Sequence, residues 1–135
     1  MANENIVVSG KRKRSIARAV IGKGKGQIRI NKFMLNVFTP EFAREKIKEP
    51  ISLAGEDITK NLKIEVKVKG GGWQAQAEAA RLAIARALVA YTKSKPLEKI
   101  FLDYDRNMLV QDSRFAETSK PNDSKPRAKR QKSYR

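Results

Sequence analysis

Leu62-Lys63-Ile64-Glu65-Val66-Lys67-Val68-Lys69-Gly70-Gly71-Gly72 is the stretch that decides the fold. Apolar and charged residues alternate with a period of two. Leu62, Ile64, Val66 and Val68 therefore face one way from a strand, and Lys63, Glu65, Lys67 and Lys69 face the other, mostly basic, way. The three glycines end the strand. A long run from about Gln74 to Thr92 follows, with eight alanines between Ala75 and Ala90. Such a run is strongly helical, and its small side chains allow close approach to a sheet or another backbone. Leu82, Ile84, Leu88 and Val89 supply its bulk.

Upstream, Ile6–Ile21 reads as a strand interrupted or preceded by the charge run Lys11-Arg12-Lys13-Arg14. Gly22-Lys23-Gly24-Lys25-Gly26 leads into Gln27–Asn31, where Ile28 and Ile30 alternate with polar residues. These two runs read as an antiparallel hairpin with a glycine-rich basic tip. Thr39-Pro40-Glu41 is a helix start, with a hydroxyl cap, a proline at the first helical position and an early carboxylate. That helix is expected to end near Lys48, because Pro50 disfavours continuation. Pro96 restarts the chain after the alanine run, Leu97–Tyr104 reads as a short helix or a helix-to-strand transition, and Met108–Val110 as a last short strand. Strands and helices mix without the strict alternation of a doubly wound sheet. The expected fold is therefore α+β or split βαβ, one compact domain over residues 1–117.

The remaining segment, Thr118–Arg135, carries seven basic residues, one acidic residue, two prolines and no aliphatic side chain larger than Ala128. It cannot bury enough apolar surface to offset the entropy of ordering, so it is expected to be disordered alone in water. Fully extended it reaches about 60 Å. Setting its charges aside still leaves +10 of the total +16 on Met1–Glu117. A basic body carrying a basic tail is the electrostatic footprint of a nucleic-acid binder. A membrane surface is the competing polyanion, but the tail lacks bulky apolar anchors, and no spanning segment or signal peptide is expected.

The chain has no Cys, so disulfides and thiolate metal sites are excluded. It has no His either, which removes the commonest general base and metal ligand and disfavours an enzyme. Asp103, Asp105 and Asn107 alternate as in a calcium loop, but Met108 and Arg114 occupy positions that need Gly and Glu. No metal or cofactor is expected.

Phosphate contacts are the chemistry left. Gly70–Gly72 before a helix allows close backbone approach to an anion, or simply a tight strand-to-helix turn; spacing leaves both open. Lys23 and Lys25 suit phosphates, because Lys11–Arg14 lies nearby in the same unit. Arg81 and Arg86 are weaker candidates, since a lone helix arginine is more often solvated or ion-paired. The few aromatics form no interleaved stacking face, so shape and backbone charge should dominate recognition of a folded RNA.

Gly10-Lys11-Arg12-Lys13-Arg14-Ser15-Ile16-Ala17-Arg18 resembles the opening signature of the S9 family of small-subunit ribosomal proteins. Gly24–Asn31 resembles that family's next hairpin. Gly70-Gly71-Gly72-Trp73-Gln74-Ala75-Gln76, with Arg81–Leu88, resembles its central signature, and Asp112-Ser113-Arg114 with Glu117 the approach to its tail. The resemblance implies a mixed sheet with a βαβ unit of left-handed crossover. It also implies a single copy, not a homo-oligomer, in the head of the small subunit of the cytoplasmic ribosome, against rRNA and neighbouring proteins. The rRNA-binding residues expected on this reading are Lys11, Arg12, Lys13, Arg14, Arg18, Lys23, Lys25, Gly70, Gly71, Gly72, Arg81, Arg86, Arg114, Lys120, Lys125, Arg127, Lys129 and Arg130. In the family the tail reaches peptidyl-site tRNA, which assigns tRNA contact to Lys132, Ser133, Tyr134 and Arg135. Tyr134 stands where bacterial members usually carry a basic residue, so the ending looks archaeal or eukaryotic. The rival readings are a free nucleic-acid chaperone and, more distantly, an enzyme acting on RNA.

Overall fold

The computed structural model describes residues 4–121, 125 and 126. Strand β1 (Ile6–Arg12) turns at Lys13-Arg14 into β2 (Ser15–Lys23), and the two pair antiparallel with Ile6 opposite Ile21 and Arg12 opposite Ser15. The hairpin in this part of the chain is therefore β1–β2. The expected pairing of the segments flanking Gly22–Gly26 does not form. β3 (Gln27–Ile30) and β5 (Leu62–Lys69) instead pair parallel, and β5 lies between β2 and β3. With β4 (Phe33–Met34) antiparallel to β3, the sheet order is β1-β2-β5-β3-β4. The glycine stretch does not turn back on itself because it crosses the start of β5. There Gly24 N–H donates to Asn61 O and Gly26 N–H to Leu62 O, each at 2.9 Å. Gly24 also lies so close to Lys63 that a Cβ has no room.

Between the parallel strands β3 and β5 the chain passes through α1 (Glu41–Ala54) and the short α2 (Glu56–Thr59), completing a βαβ unit. Pro40 precedes the first helical residue of α1 and no side chain caps it, unlike the expected arrangement. The helix also runs through Pro50 to Ala54 rather than ending at Lys48. Proline removes one backbone hydrogen bond there, and burial of Ile47 and Pro50, with Ile51 packed against the core, offsets that loss.

The apolar side of β5 is buried as the alternation requires, at 1 to 6% exposure for Leu62, Ile64, Val66 and Val68. Over it lies α3 (Trp73–Thr92), packed on β1, β2 and β5, with α1 against its flank. Ala79, Ala80, Ala83, Ala85 and Ala87 are fully buried, so the alanines bring helix and sheet backbones together. Lys93 takes the left-handed cap, and Ser94 Oγ accepts from Leu97 N–H to start α4 (Lys95–Tyr104). Leu97–Tyr104 is thus helix throughout. Met108–Val110 is not a strand: Asp105 caps a 3₁₀ turn, Arg106–Met108, that drops Met108 into the core. Among the described residues the sheet's second side carries no helix, which gives an α+β domain with a mixed sheet and one open face.

A candidate nucleic-acid interface

Residues opposite one another in a ladder share a face, so register reads out the open side of the sheet. Arg18 faces Lys67 and Ser9; Lys11 and Lys69 flank Ile16; Val20 lies beside Glu65, which lies beside Arg29; and Gly22 lies beside Lys63, which lies beside Gln27. Lys11, Arg18, Arg29, Lys63, Lys67 and Lys69 are all exposed. Glu65 is the face's one acid among the described residues, and Lys63 Nζ holds it at 2.8 Å. That hydrogen bond, the Lys63 charge and the charges of Arg29 and Lys67 keep the Glu65 carboxyl below its usual value.

Arg18 and Lys67 are like charges set opposite each other, and neither joins an ion pair among the described residues. Such a pair is unfavourable in the free protein, and an anion placed between the two would relieve it. Lys11 and Arg18 are candidates on the sequence alone, whereas Arg29, Lys63, Lys67 and Lys69 join them only through the register of the sheet. The outward alternation of Leu62–Lys69 was the signal that contained three of them.

At one end of this face the structure brings together two motifs 55 residues apart. Ser15, fully buried after the β1–β2 turn, donates from Oγ to Gly70 O at 2.7 Å. Gly70 (φ 81°) and Gly71 (φ 66°) are left-handed, and they press against Arg14 O and Ser15 so tightly that a Cβ at either would collide. These two glycines are required by the turn itself. Gly72 has an ordinary φ of −86° and open space around it, and it caps α3 without a side chain. Exposed Lys13 and Arg14 therefore stand beside Lys69 and the start of α3. Lys23 and Lys25 lie at the far end of β2, about 26 Å away along nine strand residues.

Four of the expected phosphate ligands make contacts within the protein. Strand parity turns Lys11 outward and Arg12 inward, and Arg12 is 13% exposed, with Nε 2.6 Å from Glu78 Oε2 and a terminal nitrogen 3.6 Å from Asp112. Arg81 is buried between Glu49 at 2.6 Å and Asp105 at 3.0 Å. Arg86 donates to Leu109 O and Ser9 O. Arg114 grips Asp112 from Nε and Nη2. Arg12, Arg81 and Arg86 point into the packed side of the domain, where carboxylates and carbonyls are at hand, whereas Arg114 is 79% exposed and pairs with its near neighbour Asp112. Lys120 and Lys125 are exposed. Arg127, Lys129, Arg130, Lys132, Ser133, Tyr134 and Arg135 lie outside the described residues.

Known proteins match this chain along most of its length. The family profile of ribosomal protein S9/S16 matches residues 10–135. The small ribosomal subunit protein uS9 of Thermoplasma volcanium is 47% identical over 130 residues, covering 96% of this chain and 98% of the relative.

Proposed function

Because the chain belongs to the ribosomal protein S9/S16 family, a structural constituent of the small subunit in the cytoplasmic ribosome and not an enzyme, we propose that its open sheet face binds rRNA phosphates in the subunit head. The observation that carries this reading is the unpaired juxtaposition of Arg18 and Lys67 within a face of six basic side chains and one acid. Lys11, Lys13 and Arg14 extend the contact to the Gly70–Gly72 turn, and Lys23 and Lys25 extend it to the other end. Gly72 allows a phosphate close to the start of α3. Recognition is by charge and shape, because no aromatic occupies the outward ladder positions of β1, β2, β3 and β5. The basic segment Thr118–Arg135 then extends toward peptidyl-site tRNA, with Arg135 as a bidentate ligand for an anticodon-stem phosphate. Neighbouring head proteins complete the partners.

The test is salt-dependent binding of full-length protein to a head-domain rRNA fragment. Arg18→Gln with Lys67→Gln should flatten the dependence of log affinity on log salt by roughly 1.4 to 1.8, or roughly 0.7 to 0.9 per lost contact. An unchanged slope overturns the assignment of this face. A free chaperone using the same charge predicts loss from small subunits in a high-salt wash, whereas a fixed rRNA ligand sediments with them.

A further inference from the structure

The most basic run of the chain contains a residue that does not face RNA. Arg12 sends its guanidinium across the end of α3 and makes contacts in three directions. Nε meets Glu78, a terminal nitrogen approaches Asp112, and Nη1 donates to Arg114 O at 3.2 Å. Lys46 Nζ, 3.0 Å from the second oxygen of Glu78, completes the far side. Five residues further along α3 from Arg81, Arg86 donates to Leu109 O at 2.9 Å and to Ser9 O of β1 at 3.2 Å. Two arginines thus hold two backbone carbonyls, Leu109 and Arg114, of a segment with no regular structure of its own. Asp112 is only 14% exposed, and it accepts from the Arg114 backbone N–H at 3.0 Å as well as from the Arg114 side chain. Between them, these contacts fix the chain direction just before the basic segment begins.

We propose that Arg12 and Arg86 are positioning residues that clamp Leu109–Arg114 to the body and set the point and heading from which the basic tail departs. The proposal rests on the tail reading given above, and it assigns Arg12 to protein geometry instead of phosphate. A segment of 18 residues reaching some tens of ångströms gains most from a fixed root, because each freed residue at its base widens the volume its end samples. Backbone carbonyls are suited to this, since they define chain direction whatever the side chains are.

Two variants separate the clamp from simple charge. Asp112→Asn removes the clamp's carboxylate while making the protein more positive, so a phosphate-contact role for this region predicts equal or tighter RNA binding. Arg12→Lys keeps the charge but cannot serve Glu78, Asp112 and Arg114 O together. In the full chain, both variants should raise amide exchange across Val110–Phe115 by about tenfold, equivalent to one lost charge-assisted hydrogen bond. Exchange in Ser15–Lys23 and Leu62–Lys69 should not change. In reconstituted small subunits both should speed peptidyl-site tRNA dissociation, with the salt slope of rRNA binding unaltered. Unchanged exchange in both variants overturns the clamp, and raised exchange with normal tRNA dissociation overturns its positioning role. Truncation after Glu117 is the control. If it too leaves tRNA dissociation normal, the tail reading fails; if it alone speeds dissociation, only the positioning role fails.

Discussion

A Cβ on Gly10 would lie 2.6 Å from Ala79 O, so the backbones of β1 and α3 touch at this pair. The contact explains why the sheet-facing stripe of α3 is alanine and why β1 carries no side chain there. Ala83 N, 2.7 Å from the same point, closes the other side. Gly10→Ala must therefore push helix from sheet, and it should destabilise the protein by about 3 kcal/mol, the upper range of overpacking. Urea unfolding at constant m-value measures it. A variant as stable as the parent would mean that α3 can slide at no cost.

Arg81 is the buried charge that joins α1, α3 and the Asp105 turn. Arg81→Ala strands Glu49 and Asp105, whose side chains are 33% and 38% exposed and so can rehydrate in part. The expected loss is about 3 kcal/mol, at the low end for breaking a buried pair. Arg81→Met, which fills the space but still leaves two acids unpaired, should recover only part of it. Equal stabilities for Met and Arg would show that the pair adds nothing beyond packing.

Acid sensitivity should reside at Glu78. Partial burial pushes its carboxyl upward, but hydrogen bonds from Lys46 and Arg12 and their charges outweigh that and leave it below the usual 4.5. A carboxyl with a depressed folded pKa contributes stability that is fully present above 4.5 and lost as pH falls through the lowered folded value. Asp112, held down by the Arg114 side chain and backbone, acts in the same direction. Glu78→Gln should flatten the acid limb of a stability profile while leaving it parallel above pH 5. An acid limb as steep as the parent's would place the sensitivity elsewhere.

Removal of Lys132–Arg135 should leave the body folded and subunits assembled, since Lys, Ser, Tyr and Arg offer a core no aliphatic side chain. It should speed tRNA loss from the peptidyl site modestly, because codon pairing and other contacts remain. Arg135→Lys should keep part of the effect, and Arg135→Glu should be worse than deletion through repulsion. Dissociation of tRNA from purified subunits carrying each variant is the measurement. Equal rates for all four proteins would leave the chain's end without this role.

The sequence by itself determined the elements whose signal is local. The period of two in Leu62–Lys69 matches β5 to the residue, and the alanine run matches α3 to within one residue, because side-chain alternation and helix propensity act within a few positions. It also established the charge, and the ordered motifs established the family. Only the tertiary structure decided which strands are neighbours. Nothing in Gly22–Gly26 says that β5, over 30 residues later, will lie between β2 and β3, since a strand's periodicity specifies its faces and not its partner. The same limit explains Pro50, kept helical by a core that forms around it. It explains the site as well: Lys11 and Arg12 look alike in the chain, and strand parity with α3 on one side sends one to the open face and the other to Glu78. Gly70–Gly71 and Ser15 became one turn only when β2 and β5 paired, because a hydrogen bond across 55 residues is written in register and not in spacing.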